Sequence, residues 1–133
     1  MQRFIRGQVW WYKGEETKSI RGIQQGTRPV LIVSNNKGNK HSPIVQIVPC
    51  TTAYKPNLPT HFNLYINGRR NTLLCEQVKT IPTDLLFGYI TTLDDYEMMK
   101  VDDCLKKSLG INKVDIFEDV DMDSLLQPLD IDE

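Results

Sequence analysis

A chain of 133 residues, 40% hydrophobic and 25% charged, is long enough for one domain with a packed core. No stretch approaches the roughly 18–20 consecutive apolar residues of a membrane span, and no apolar leader core follows the start, so a cytoplasmic protein is expected. The net charge of −1 hides an asymmetry. From Ile111 onward there are eight acids (Asp115, Glu118, Asp119, Asp121, Asp123, Asp130, Asp132, Glu133) against one base, Lys113, which leaves nine acids and fifteen bases in residues 1–110. A basic body suggests a polyanionic partner, although a net +6 is also an ordinary solubility charge. The three cysteines, Cys50, Cys75 and Cys104, have no CxxC spacing. They read as reduced, buried thiols and not as a disulfide frame or a zinc site.

In chain order, Gly7–Tyr12 is rich in β-formers and reads as a first strand. Lys13–Thr27 holds Gly14, Gly22 and Gly26 among mixed charges, without apolar periodicity, and reads as a long polar loop. Pro29–Ser34 is a β-branched run typical of a buried strand. Asn35–Lys40 reads as a turn, Ile44–Val48 as the next strand, and Tyr54–Pro59 as a second loop. In His61–Ile66, Phe62, Leu64 and Ile66 alternate with polar positions, which predicts a half-buried strand. Asn67-Gly68 is a hairpin signal with Thr72–Val78 as the returning strand. Pro82–Leu86 suggests a short helical turn and Phe87–Thr91 a last strand. A helix is predicted to open at Thr92, with Asp95 as a weak capping partner, an apolar stripe of Met98, Val101, Leu105 and Leu109, and Gly110 at its C-terminus. Many strands and one terminal helix predict a mainly β (α+β) fold: a small barrel or bent sheet of antiparallel strands with a C-terminal helix.

An arginine stands at the mouth of one apolar strand (Arg28) and a threonine pair (Thr51, Thr52) ends the next. If the strands are neighbours, a guanidinium and a hydroxyl meet at one end of a sheet and can grip a phosphate. Taken alone, the pattern equally suits an arginine paired with a surface acid and a threonine capping a strand. There is no GxGxxG and no P-loop. The only histidines, His41 and His61, form no metal-ligand spacing; as an acid–base pair for RNA cleavage they are disfavoured by their places beside a turn and at a strand start. Trp10 and Trp11 must face opposite sides of their strand, one toward the core and the other toward a stacking or dimer surface.

Several segments together carry a family resemblance. They are Arg6-Gly7-Gln8-Val9-Trp10, Gly26-Thr27-Arg28-Pro29-Val30-Leu31-Ile32-Val33-Ser34-Asn35, Gly38-Asn39-Lys40-His41-Ser42-Pro43, Thr51, Leu58-Pro59-Thr60-His61, Cys75-Glu76-Gln77-Val78-Lys79-Thr80-Ile81 and Thr91-Thr92-Leu93-Asp94. In this order and spacing over residues 3–110, the chain resembles the MazF/PemK family of toxin endoribonucleases. The resemblance implies an SH3-like, CcdB-like barrel over residues 1–111, usually a homodimer, which cuts single-stranded RNA without metal or cofactor and is held off by a cognate antitoxin with an acidic segment. It puts the family's catalytic arginine on Arg28 and its threonine on Thr51. An acidic residue often precedes the arginine in this family; Gln24 and Gln25 stand there instead.

Cleavage by the RNA's own 2′-hydroxyl needs in-line geometry, charge neutralisation and proton transfer, and no protein nucleophile. Arg28 suits electrostatic stabilisation, with proton donation to the leaving oxygen as a second duty, and Thr51 suits a phosphate hydrogen bond. Asn35, Asn36, Thr52, Gln77 and Lys79 are candidate RNA contacts, since amides and hydroxyls read splayed bases and lysine meets phosphate. Two rival readings keep the barrel and drop the cleavage: a CcdB-like gyrase-binding toxin and a non-catalytic RNA-binding barrel. The tail 112–133 mixes its acids with Ile116, Phe117, Val120, Met122, Leu125, Leu126, Leu129 and Ile131. It reads either as a segment folding over the RNA groove, as antitoxin segments do, or as an extension lying elsewhere.

Overall fold

The computed structural model describes residues 3–14 and 26–111. The loop residues 15–25, including Gln24 and Gln25, and the tail 112–133 lie outside the described residues.

Among the described residues, seven strands run in the order β1 (Gln8–Lys13), β2 (Thr27–Ile32), β3 (Ile44–Thr51), β4 (His61–Ile66), β5 (Arg69–Leu74), β6 (Lys79–Pro82) and β7 (Leu86–Thr92). Helix α1 (Asn36–His41) follows β2, and α2 (Asp95–Leu109) closes the described chain. Hydrogen bonding orders the strands β4-β5-β3-β2-β1-β7, with β6 also on β3. Every pairing is antiparallel. This is the curled, mainly antiparallel sheet with a C-terminal helix that the pattern of elements predicts.

The central strands are buried on both faces, which is why they read as unbroken apolar runs. Val9, Leu31, Val33, Val48, Cys50, Leu73 and Val101 belong to one core cluster. Their chain neighbours Trp10, Val30, Ile32 and Ile47 belong to a second, with Tyr12, Val45, Ile81 and Leu86. Val30 and Leu31 are wholly buried on opposite faces of one strand. Each such side chain contributes roughly 1.5–3 kcal/mol through removal from water. Helix α2 lays Met98, Val101, Cys104 and Leu105 on the first cluster and packs against β4 and the turn at residues 75–77.

Strand β4 has the predicted bounds, and its hairpin to β5 turns through Asn67 (φ 49°) and Gly68 (φ 83°). Two successive left-handed residues are what a two-residue hairpin needs, and Asn-Gly adopts them at least cost.

Five expectations need correction. Residues 36–41 form a helix where a turn was expected, because Asn35 caps it, its Oδ1 accepting from the Gly38 N–H at 2.7 Å, and buried Asn39 ties it to the Ser34 carbonyl at 3.0 Å. Strand β2 begins and ends two residues early: the N–H groups of Val33 and Ser34 both turn to the Gln46 carbonyl, at 2.9 and 3.3 Å, ending the regular ladder. Pairing in β5 starts at Arg69 and stops at Leu74 instead of running from Thr72 to Val78. The Cys75 N–H donates to Thr60 O at 3.0 Å, Cys75–Gln77 makes a 3-10 turn, and a separate strand, β6, follows.

Thr92 does not open the final helix, being still paired with Gln8. Asp94 is the N-cap, in a reciprocal capping box with Glu97 at 2.8 and 2.9 Å. Leu109 is 58% exposed and so falls outside the helix's core stripe, whereas Cys104 belongs to it. Gly110 does terminate the helix in the left-handed conformation (φ 72°).

Candidate functional site

The geometry of the site follows from one strand changing partners. β3 pairs with β2 from Ile47 to Pro49, and with β5 at Cys50 and Thr51. Pro49 has no N–H to give, so the ladder to β2 is weakened where the switch occurs. Thr27–Pro29 of β2 and Arg69–Asn71 of β5 are left on either side of the departing strand end. Between them lies a cleft of about 390 Å³, lined by Trp11, Arg28, Thr51, Thr52, Arg69 and Asn71 among others.

Arg28 and Thr51 each stand two positions beyond the last β2–β3 pair, Val30 with Pro49. By strand alternation both share the sheet face of Val30, Ile47 and Trp10, so the cleft at this strand end is lined from both faces, with Trp11, Pro29 and Cys50 on the other. Thr51 is buried, and its Oγ1 accepts from the Ala53 N–H at 3.1 Å. That bond fixes the oxygen and leaves the hydroxyl proton available as a donor. Arg28 is partly buried, and loss of water holds its guanidinium below the ordinary arginine value. It remains a fixed cation able to offer two parallel N–H donors.

The other predicted contacts divide. Thr52 is exposed on the cleft wall. Lys79 lies outside the lining, but its Nζ stands 5.1 Å from the ring centre of Tyr12, and Tyr12 is the cross-strand partner of Arg28. Asn35 and Asn36 are not brought to the cleft: Asn35 caps α1, and Asn36 Oδ1 accepts from the Arg6 N–H at 2.7 Å. Gln77 sits half-buried on the 3-10 turn, also outside the cleft lining.

Neither histidine lines the cleft. His41 is exposed on α1. His61, with its side chain 4% exposed, places Nδ1 at 2.8 Å from Pro56 O and Nε2 at 3.0 Å from Glu76 Oε2. It ties down the segment that follows Thr52. Cys50 reaches the cleft wall as a fully buried thiol, and burial pushes it well above the ordinary range. It is therefore no nucleophile near neutral pH. Among the described residues, no three His, Cys, Asp or Glu side chains gather as a metal site would require.

Trp10 is the core tryptophan and Trp11, on the other face, opens onto the cleft. Sequence reasoning did not single out Arg69 or Asn71. Their place beside Arg28 depends on β3 crossing from β2 to β5, which no local pattern announces.

The profile of the PemK-like, MazF-like toxins of type II toxin–antitoxin systems matches residues 5–109. The chain belongs to this family of endoribonuclease toxins. It is 35% identical over 102 residues to Endoribonuclease MazF of Staphylococcus epidermidis, covering 72% of this chain and 85% of that protein. A mycobacterial endoribonuclease solved in complex with its cognate antitoxin superposes with a TM-score of 0.69 at 26% identity, over 84% of this chain and 99% of that one. MazF from Deinococcus radiodurans shares the fold, with a TM-score of 0.67 at 20% identity, over 80% of this chain and 96% of its own.

Proposed function

We propose that this PemK/MazF-family toxin cuts single-stranded RNA at selected sequences without a metal ion, leaving a 2′,3′-cyclic phosphate and a 5′-hydroxyl. The observation that carries the reading is the convergence of Arg28 and Thr51 on one cleft at the point where β3 changes partners. The Arg28 guanidinium holds the scissile phosphate through two N–H bonds and neutralises the charge that grows on it. The Thr51 hydroxyl donates to a third oxygen. With the phosphate held, the adjacent ribose 2′-hydroxyl attacks phosphorus and gives up its proton to water, the bond to the 5′-oxygen breaks, and that oxygen takes a proton from Arg28, which solvent then reprotonates. Thr52 and Lys79 extend the grip along the backbone; Asn35, Asn36 and Gln77 meet only a longer RNA. The active unit is a cytoplasmic homodimer built from the barrel, residues 1–111. It is restrained by an antitoxin whose acidic segment competes for the same basic surface.

Digestion of a mixed RNA by the purified full-length protein in EDTA tests this. We expect cleavage, with products that accept 5′-phosphate from a kinase directly. RNA that is shifted on a gel and left whole would mean a binding barrel, and indifference to RNA combined with gyrase inhibition would mean a CcdB-like toxin. A substrate carrying one 2′-deoxynucleotide on the 5′ side of the cut should bind and resist cleavage, because the nucleophile is gone. Cleavage of that substrate at the normal rate would require an activated water instead.

A further inference from the structure

The cleft holds more than a phosphate grip. Asn71 is 4% exposed, and its Nδ2 donates to the Arg69 carbonyl at 3.1 Å, which fixes the amide's orientation. Its Oδ1 is buried in the cleft wall with no hydrogen-bond partner, the one such side-chain atom among the described residues. A sealed, unpaired carbonyl is an unfavourable state that an entering N–H donor relieves. The lining also contains Trp11, 40% exposed although it lies on a central strand. Its cross-strand neighbours are Pro29 on one side and Gly88 on the other. Gly88 has no side chain to cover the indole, and a Cβ there would come within 3.2 Å of Trp11 Cδ1. Ile66 and Ile90 complete an apolar wall.

An open aromatic face, apolar walls and a single recessed acceptor, beside an arginine and a threonine, match the parts of a nucleotide. We propose that this cleft is a nucleobase pocket: Trp11 stacks on the base next to the gripped phosphate, and Asn71 Oδ1 accepts a hydrogen bond from its exocyclic amino group. The pocket thereby favours bases with an exocyclic amino group, adenine and cytosine among them, over uracil. Their amino groups project beyond the ring and reach a recessed acceptor, whereas uracil carries carbonyl oxygens at its exocyclic positions and sets lone pair against lone pair. This rests on the nuclease reading for the phosphate grip, and it goes further in assigning two residues to base choice.

The test is a chemical-shift titration of the ¹⁵N-labelled full-length protein with nucleoside 5′-monophosphates. AMP and CMP should bind roughly tenfold more tightly than UMP, the effect of one hydrogen bond. Purine riboside 5′-monophosphate, which is AMP without its amino group, should fall to the level of UMP on the wild-type protein. Asn71→Leu should keep binding and lose the difference between AMP and UMP; Trp11→Leu should weaken all the monophosphates alike. Equal binding of AMP, UMP and purine riboside monophosphate by the wild type would overturn the proposal. So would a Trp11→Leu protein with unchanged nucleotide affinity and a shifted monomer–dimer balance, since the cleft would then be a contact between copies. If AMP is preferred and RNA is never cut, the pocket stands and the nuclease reading fails. If RNA is cut and the end sequences are identical for wild type and Asn71→Leu, the nuclease stands and the pocket fails.

Discussion

Arg28 and Thr51 differ in what their loss should do. Arg28 is partly exposed at a strand end, so Arg28→Ala should fold normally and lose about 100- to 1,000-fold in single-turnover cleavage, the usual cost of removing one transition-state donor of this kind. Arg28→Lys should recover little, since a point charge does not reproduce the two-pronged fork. A folded Arg28→Ala protein that cuts at near-normal speed would remove the mechanism. Thr51 also accepts from the Ala53 N–H, so Thr51→Val should lose activity and destabilise the fold by about 1 kcal/mol, while Thr51→Ser should keep most of both. These two residues were legible in the sequence because each ends an apolar run. Asn71 was not legible as a site residue, since an Asn near a hairpin carries no mark of the cleft it lines; for the Trp10-Trp11 pair, alternation announced one outward ring without saying which.

At the same scale, the fully buried Cys50 and the buried Cys75 are held protonated, their pKa raised by burial. The unfolded chain loses those protons above about pH 8.5 and the folded chain does not. Stability is thus undiminished below that pH and falls as it rises, by up to about 1.4 kcal/mol per pH unit for each thiol. Urea titrations between pH 7 and 10 should show the midpoint dropping only in the upper part of the range. A midpoint that stays level to pH 10 would mean the thiols ionise in place.

The element scale shows what periodicity could and could not reveal. β4 and the Asn67-Gly68 hairpin were read correctly because alternation and turn chemistry are both local. α1 was missed because Asn36-Lys37-Gly38-Asn39-Lys40-His41 has the composition of a turn. It is helical through the Asn35 cap, the link from Asn39 to Ser34 and the bond from the Arg6 N–H to Asn36 Oδ1, the last of which is a tertiary contact. β6 was missed because Lys79-Thr80-Ile81-Pro82 lacks an apolar face; it is a strand because β3 offers it an edge. The start of α2 was misplaced by two residues: Thr92 and Asp94 are both good caps, and the pairing of Thr92 in β7 decides between them. Asp94→Ala should therefore cost about 1 kcal/mol, within a range of roughly 0.5–2, measured by urea unfolding, whereas Thr92→Ala should leave the helix start in place. A larger loss at Thr92 than at Asp94 would contradict this assignment of the cap.

For the whole molecule, charge separates body from tail. The basic residues around the cleft include Arg28 and Arg69, with Lys79 nearby over Tyr12, while residues 112–133 carry eight acids and one base. Deleting 112–133 changes the net charge by +7, from −1 to +6. A polyanion should then be drawn more strongly to the remaining domain even if the tail never touches the cleft. The truncated protein should bind single-stranded RNA more tightly at low salt, and the advantage should close as salt rises, because attraction at a distance is screened beyond a Debye length of about 8 Å at physiological ionic strength. Filter binding of both forms to a 2′-deoxy-substituted, uncleavable RNA across a salt series measures this. A gain that persists at high salt would show instead that residues 112–133 occupy the RNA groove, and the same segment added as a peptide should then inhibit the truncated enzyme. Equal affinity at every salt concentration would mean that the tail's charge lies too far from the site to matter, and its eight acids would have to be explained by contacts elsewhere.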